Sequence, residues 1–301
     1  MLETYMLPVL LDLKFVKIYT FGIFLVLAFF WSSFLLWKNI RLTSYKEEDV
    51  FDGMFLSLLG ALFVGRLIYV LQHFDKFGLN IGKFILINGY PGLVLYGCLA
   101  GALLSYAIYT ATHKMNFFDI MDYIASPALL AIAIGKLGAF FAGTEIGTRT
   151  KLFAAIRYAN AEGLRHLTPL YESILFFIGA YLAYHVMFSV RRQKYKRGFS
   201  LYFFFWYFSF VYLILDRIKN TRYYIGGFSF NEALSAVLLT AMSLYMLYYF
   251  RHMIGRPFAA IRNSALKHGK KTKQTVHRRP EEETGGGEEE NTETDPGSQE
   301  E

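Results

Sequence analysis

Two basic side chains stand inside long apolar runs of this sequence, where a charge is expensive. Lys136 is the single charged residue between Tyr123 and Gly143, and Arg66 lies in the apolar stretch GRLIYV. A lysine within a membrane-spanning helix costs about 2.5–3.5 kcal/mol on insertion scales, so it is expected to face protein or water and to mark a functional site. The structural alternative is a lysine that only snorkels to the membrane surface.

Polar groups of several apolar runs are expected in one layer of the membrane. At about 1.5 Å per residue, Lys136 lies about 9 Å, Arg66 about 6 Å and Tyr96 about 10 Å below the outer surface. On the same count, Glu172 and Asp216 lie within about 5 Å of that surface. A random scatter of polar residues would not bring groups from separate helices to one depth.

Two buried cations with acids close by are suited to the phosphate of a lipid head group. An arginine holds phosphate oxygens bidentately, and a lysine holds them as a point charge. Glu172 and Asp216 are predicted to pair with the cations and so to reduce the cost of burying them. Alternatively, one of them, or Glu145, serves as a base.

A histidine stands close to the same layer, in the segment RHLTPLYES. Histidine is the side chain whose ordinary pKa is near neutral, so His166 is a candidate proton acceptor. The alternative is a surface histidine that orders its loop through hydrogen bonds.

The composition indicates a membrane protein. Of the 301 residues, 54% are hydrophobic, which is more than a soluble domain of this length would carry. The net charge of +7 is therefore attributed to cytoplasmic loops and not to nucleic-acid binding. Cys98 is the only cysteine, which excludes an intrachain disulfide and a cysteine-based metal site. We expect no removable signal peptide, because the N-terminus has no basic n-region.

The apolar runs predict an all-α polytopic membrane protein with seven transmembrane helices. Basic residues follow the first, third, fifth and seventh runs, which places the N-terminus outside and the C-terminus in the cytoplasm. Residues 1–263 are predicted to form the transmembrane domain, and the charged residues 264–301 a disordered cytoplasmic tail. The predicted spans are Lys17–Trp37, Val50–Gln72, Gly92–Thr112, Tyr123–Gly143, Pro169–Val190, Phe199–Leu215 and Glu232–Phe250.

Several motifs, in order along the chain, resemble those of the prolipoprotein diacylglyceryl transferase family. The first is GALFVGRLIYVL, with Arg66 and Tyr69. The second is the segment from Asp122 through Lys136 to Gly147, with GKLGAF and GTEIG. The third is RHLTPLYE, with Tyr171 and Glu172, and the last is NEALS. The resemblance covers about Lys14 to Arg251.

Some positions depart from the family pattern. The arginine that binds phosphatidylglycerol in the family corresponds to Lys136, which keeps the charge but not the planar fork. The family's helix-three histidine, a proposed general base, falls on Tyr96. Its helix-six arginine falls on Tyr212, with Arg217 as a possible substitute. The asparagine after the arginine falls on Ala139, and the helix-one tyrosine on Phe21.

The resemblance implies transfer of the diacylglyceryl group of phosphatidylglycerol to the lipobox cysteine of prolipoproteins, in the bacterial inner membrane. The alternative is an inactive relative that binds phospholipid or a prolipoprotein signal peptide. No cofactor, metal or nucleic acid is implied. The predicted catalytic residues are Lys136, Tyr96, His166 and Glu145, and the predicted substrate-binding residues are Lys136, Arg66, Tyr69, Gly147, Tyr171, Glu172, Tyr212, Asp216 and Arg217.

Overall fold

A computed structural model gives the fold of this chain. It describes residues 8–13, 16–78, 81–85, 92–152, 155–158, 161–220, 224–225 and 228–251. Contacts divide the chain into residues 1–245 and residues 246–301, and the second unit is described only for 246–251, the end of the last helix. The predicted tail, 264–301, lies outside the described residues.

The described residues form nine helices and three short hairpins. The helices are α1 (Thr20–Ile40), α2 (Glu47–Gln72), α3 (Phe74–Phe77), α4 (Ile81–Ile85), α5 (Leu95–Thr112), α6 (Phe117–Ala142), α7 (Thr168–Arg191), α8 (Phe199–Leu215) and α9 (Phe230–Arg251). A 3-10 turn, Asp216–Ile218, extends α8. The antiparallel hairpins pair β1 (Val9–Leu13) with β2 (Val16–Tyr19), β3 (Ile156–Arg157) with β4 (Leu164–Arg165), and β5 (Tyr224–Ile225) with β6 (Phe228–Ser229).

The seven long helices are each long and apolar enough to cross a bilayer, which confirms the predicted number of spans. They also expose many large apolar side chains, as lipid-facing surfaces do. The chain is therefore a multi-pass membrane protein. The helix limits differ from the predicted ones at α1, which begins at Thr20 because Lys17 pairs in β2, and at α6, which begins at Phe117 behind the capping side chain of Asn116.

Helices α2 and α5 pack against each other along glycines. A Cβ added at Gly101 would lie 2.3 Å from the carbonyl oxygen of Gly60, and one at Gly65 would lie 2.3 Å from the sulfur of Cys98. Because these positions have no side chain, the two backbones approach closely, as small residues allow in membranes. Ser57 adds a hydrogen bond of 2.9 Å to the carbonyl of Ala102.

Helix α6 packs against α1, α7 and α8. Gly138 admits the ring of Phe24 from α1, since a Cβ there would lie 2.3 Å from that residue. Hydroxyl groups join α6 to α7, from Ser126 to the Ala180 carbonyl and from Ser173 to the Ala133 carbonyl, both at 2.8 Å. These side-chain bonds to backbone carbonyls fix the rotation of α6, and with it the direction of Lys136.

The start and the middle of α8 are joined to other helices by side-chain hydrogen bonds. The carboxylate of Asp122 in α6 accepts hydrogen bonds from the amides of Gly198 (2.6 Å) and Ser200 (2.8 Å), where α8 begins. Along α8, the indole of Trp206 donates to Ser243 of α9 at 3.1 Å. Helix α8 therefore contacts both α6 and α9.

Candidate active site

The loop that follows α6 is joined by backbone hydrogen bonds to the segment that follows α8. Thr148 donates to the carbonyl of Ile218 at 2.8 Å, and Asn220 donates to that of Ile146 at 3.0 Å. On its other side, Thr148 accepts from the amide of His166 at 3.1 Å. These bonds bring three separate stretches of sequence together at one end of α6, α7 and α8.

Gly147 permits this close approach. A Cβ at residue 147 would lie 2.4 Å from the carbonyl oxygen of His166 and 2.7 Å from the hydroxyl of Thr168. The Gly147 carbonyl also accepts a hydrogen bond of 3.2 Å from Arg165. The position therefore needs glycine for the backbone geometry, which the sequence interpretation had not considered.

Lys136 lies in a cluster of ion pairs and does not face hydrocarbon. Its ammonium donates to both carboxylate oxygens of Glu145, at 2.6 and 2.8 Å, and lies 2.8 Å from Oε2 of Glu172. The Glu172 side chain is 0% exposed, whereas that of Glu145 is 33% exposed. The prediction that Glu172 pairs with a buried cation is confirmed.

A second lysine belongs to the same cluster. The ammonium of Lys219 lies 2.5 Å from Oε1 of Glu172, so this one carboxylate bridges both lysines. The ring of Tyr212 lies beneath both cations, 4.2 Å from the Lys219 ammonium and 5.5 Å from that of Lys136. The four charged groups together sum to zero net charge.

The cluster lies at the wall of a cavity of about 850 Å³. This volume is within the range of about 300–1,000 Å³ that is typical of ligand sites. Most of the lining is apolar and comes from α1, α2, α5, α6 and α8. The wall also carries Lys136, Glu145, Lys219, Tyr69, Tyr96 and Tyr212.

The lysines also set the protonation state of Glu145. Burial alone would raise the pKa of this carboxyl, but Lys136 and Lys219 outweigh it and hold the pKa below its ordinary value of 4.5. While these pairs are intact, Glu145 is ionised and is a weak base.

Tyr96 closes the side of the cavity between α5 and α9. Its hydroxyl hydrogen-bonds to that of Ser235 in α9, and its ring packs against Phe208 and Tyr212 of α8. The phenol is buried and reaches the cavity wall, so it can contact a bound molecule there.

Arg66 is buried but does not join the ion-pair cluster. Its Nε, Nη1 and Nη2 donate to the carbonyls of Phe84, Gly92 and Lys83, at 3.0, 3.0 and 2.9 Å. Among the described residues, those lining the cavity include its neighbour Tyr69 and not Arg66. The expectation that Arg66 and Lys136 converge on one anion is therefore not met. The guanidinium donors are used by backbone carbonyls of α4 and of Gly92, just before α5.

His166 and Tyr171 lie behind the loop, outside the cavity lining formed by the described residues. Their rings are 6.5 Å apart, and Nδ1 of His166 is buried with no hydrogen-bond partner within the described part of the chain. The hydroxyl of Tyr158 approaches the His166 carbonyl at 3.5 Å. Burial raises the pKa of Tyr158 to about 12, so this phenol stays protonated and donates.

Asp216 and Arg217 have different surroundings from those expected. Asp216 is buried and accepts a hydrogen bond of 2.7 Å from Ser229, so it pairs with a hydroxyl and holds β6 in place. The Arg217 side chain is 75% exposed and pairs with Glu232 at 3.0 Å. The structure thus does not bring Arg217 to the cluster.

Comparison with known proteins identifies the family. Residues 8–249 match the family model described as prolipoprotein diacylglyceryl transferase. This chain belongs to the prolipoprotein diacylglyceryl transferase family.

Curated relatives of this family align with much of the chain. A phosphatidylglycerol–prolipoprotein diacylglyceryl transferase of Clostridium tetani is 29% identical over 202 residues, which is 65% of this chain and 80% of that protein. One of Listeria monocytogenes is 24% identical over 265 residues, which is 83% of this chain and 92% of that protein. One of Xanthomonas campestris is 29% identical over 168 residues, which is 54% of this chain and 56% of that protein.

Lys219 is the residue of this site that the sequence interpretation missed. The predicted helix stopped at Leu215, but the 3-10 turn continues it to Ile218. Tyr212, Asp216 and Lys219 recur at i, i+4 and i+7, which is the spacing of one helical face. Extending the helix past Leu215 would have placed Lys219 on the Tyr212 face and Arg217 off it.

Within the described residues, no three His, Cys, Asp or Glu side chains converge as a metal site would require.

Proposed function

We propose that this chain transfers the diacylglyceryl group of phosphatidylglycerol to the lipobox cysteine thiol of prolipoproteins. The observation that carries the proposal is a buried ammonium, Lys136, in the wall of an apolar cavity, in a chain of this family. An apolar cavity suits acyl chains, and a cation at its wall suits the phosphate of the head group. The relatives are named for the same donor and acceptor.

The reaction forms a carbon–sulfur bond, breaks a carbon–oxygen bond and transfers the thiol proton. The cysteine sulfur attacks the phosphate-bearing carbon of the diacylated glycerol, a thioether forms, and the bond from that carbon to the phosphate oxygen breaks, which releases the head group as glycerol phosphate. The thiol proton leaves with a base. Because negative charge develops on the departing phosphate, a fixed ammonium at that oxygen lowers the barrier. Lys136 is assigned this role.

The proton acceptor is assigned to Glu145 or to His166. Glu145 reaches the cavity, and His166 lies on the loop joined to it. Glu145 is paired with Lys136, and the charges of both lysines lower its pKa, so it accepts a proton poorly and acts as the base only when that pair is broken. Tyr96, whose ring packs against the Tyr212 ring beneath the two lysines, is assigned to position the head group.

The proposal includes a location and an orientation. The chain lies in the bacterial plasma (inner) membrane, with the N-terminus outside and the C-terminus in the cytoplasm, as the basic loops indicate. Prolipoprotein signal peptides and phosphatidylglycerol then reach the site from within the bilayer. Residues 264–301 form a charged cytoplasmic tail.

A second function is binding without turnover. Two observations favour it: Lys136 is neutralised by two carboxylates, and the Tyr96 hydroxyl is engaged by Ser235. An inactive relative would hold phospholipid or a signal peptide in the cavity and release it unchanged.

Thioether formation by the purified chain separates the two functions. The full chain in phosphatidylglycerol-containing vesicles is given a lipobox peptide, and the modified peptide is measured by mass spectrometry. Transfer is expected from the wild type, with a loss of about 100-fold or more in Lys136→Ala, on the scale of losing an oxyanion donor. Tyr96→Phe is expected to be impaired more mildly.

Wild-type chain that forms no thioether, but still binds the lipid, would establish the binding function instead. The exchange Glu162→Gln is the matched control, because Glu162 is on the same loop with a side chain 92% exposed. Equal rates of thioether formation in the wild type, Lys136→Ala and Tyr96→Phe would contradict the assignment of this site.

A further inference from the structure

The ion-pair cluster has no net charge, which is unusual for a site that must attract a phosphate. Lys136 and Lys219 supply two positive charges, and Glu145 and Glu172 supply two negative ones, at distances of 2.5–2.8 Å. An entering phosphate would gain little from this neutral arrangement, since each cation already has an anion in contact. One of the two acids has to leave before an anion can bind.

The surroundings of the two acids show which one can leave. Glu172 is on α7, is 0% exposed and bridges both lysines. Glu145 follows the end of α6, is 33% exposed, lines the cavity and contacts Lys136 alone. Releasing Glu145 costs one ion pair and returns the carboxylate toward water, whereas releasing Glu172 would leave both lysines without their shared partner.

Glu145 presents an anion directly to Lys136. Its two carboxylate oxygens lie 2.6 and 2.8 Å from the ammonium, the same kind of contact that a phosphate oxygen would make with this donor. Lys219 lies at the same cavity wall, held there by the backbone bonds of its neighbours Ile218 and Asn220 to the Glu145 loop. Without Glu145, the two lysines and Glu172 carry a net charge of +1, which matches the single charge of a phosphodiester.

We propose that Lys219 and Lys136 together bind the lipid phosphate, and that the phosphate displaces the Glu145 carboxylate and takes its place. This inference rests on the proposed function and adds to it a second phosphate-binding cation and a displaceable counter-ion. The displaced carboxylate loses its ammonium partner beside the bound head group. Its proton affinity then rises, so it becomes able to accept the thiol proton only when the lipid is in place.

Binding without the thiol substrate tests the inference separately from catalysis. The full chain in detergent is titrated with dioctanoyl phosphatidylglycerol, with dioctanoyl phosphatidylcholine and with inorganic phosphate. Glu145→Gln is expected to bind dioctanoyl phosphatidylglycerol about tenfold more tightly than wild type, because the competing anion is removed. Glu162→Gln, the same exchange on the same loop, is expected to leave affinity unchanged.

The second arm concerns Lys219. Lys219→Met is expected to weaken binding of dioctanoyl phosphatidylglycerol about tenfold or more, and Lys219→Arg is expected to retain most of the affinity. Lys76→Met is the control, since Lys76 is an exposed lysine of α3. If Lys219→Met does not fold, the arginine variant and Glu145→Gln still decide the question.

Two results would overturn the inference: equal or weaker binding by Glu145→Gln, or unchanged binding by Lys219→Met. Inorganic phosphate binding as tightly as the lipid would assign the site to a free anion instead of a head group. If the binding changes occur but no thioether forms, the inference stands and the proposed transfer fails. If thioether forms but the variants bind as wild type does, the transfer stands and the inference fails.

Discussion

The two cations that stand in apolar helices, Arg66 and Lys136, are stabilised in different ways. Arg66 on α2 donates to three backbone carbonyls, those of Lys83, Phe84 and Gly92. Lys136 on α6 contacts two carboxylates, of which Glu145 is partly exposed. The first set of partners cannot move without the chain moving, whereas one of the second can rotate away.

This difference follows from the chemistry of the two side chains. The planar guanidinium presents donors in several directions and can tie separate carbonyls together, while an ammonium is a point charge that binds whatever anion is nearest. A buried cation therefore indicates a functional or structural site, and the kind of partners it has shows which. Backbone carbonyls indicate a structural role, and a displaceable carboxylate indicates a ligand-binding role. Three predictions test this distinction.

The largest expected effect is on folding stability when Lys136 loses its charge. Lys136→Met leaves Glu145 and Glu172 with Lys219 as their remaining cation in the cluster, so we expect a loss of about 3–5 kcal/mol in the free energy of unfolding. The measurement is reversible unfolding in mixed micelles. The double variant Lys136→Met/Glu145→Gln should recover part of the loss, because it removes one of the stranded charges. A loss below about 1 kcal/mol would mean that the cluster is effectively at the surface.

A smaller loss is expected for Arg66→Lys, which keeps the charge and changes the shape. A lysine cannot reach the three carbonyls at once, so we expect about 1–3 kcal/mol of destabilisation. Amide exchange should increase at Ile81–Ile85, the helix that the guanidinium holds. The reciprocal exchange Lys136→Arg should cost less, since a guanidinium can still pair with the two carboxylates. Equal costs would remove the distinction between the two sites.

The smallest expected effect is a dependence of stability on acid pH. The pKa of Glu145 is lowered in the folded chain, so its ion pair stabilises the fold above the ordinary value of 4.5, and that contribution is lost as pH falls through the lowered pKa. The thermal midpoint of the wild type should therefore fall with pH below about 4.5 by more than that of Glu145→Gln. Parallel curves for the two chains would contradict the pairing of Glu145 with Lys136.

Much of the site was predictable, and the errors have a common cause. The depth of Lys136 along its helix and the presence of Glu172 nearby follow from helical rise, and the pairing of these two residues is observed. Arg66 was expected at the same anion because it lies at a similar depth. Depth does not determine which way a side chain points around the helix, and α2 turns Arg66 toward α4.

The membrane class, the seven spans and the family could be predicted from the amino-acid sequence, because they depend on the length and order of apolar runs and on motifs that are local in the chain. Which charges meet depends on how the helices pack. Lys219 lies near Lys136 because backbone hydrogen bonds join their two segments, which are about seventy residues apart in the sequence. Those bonds need a glycine at residue 147, where a Cβ would clash. No local pattern encodes such a junction, since it exists only after α6, α7 and α8 have packed.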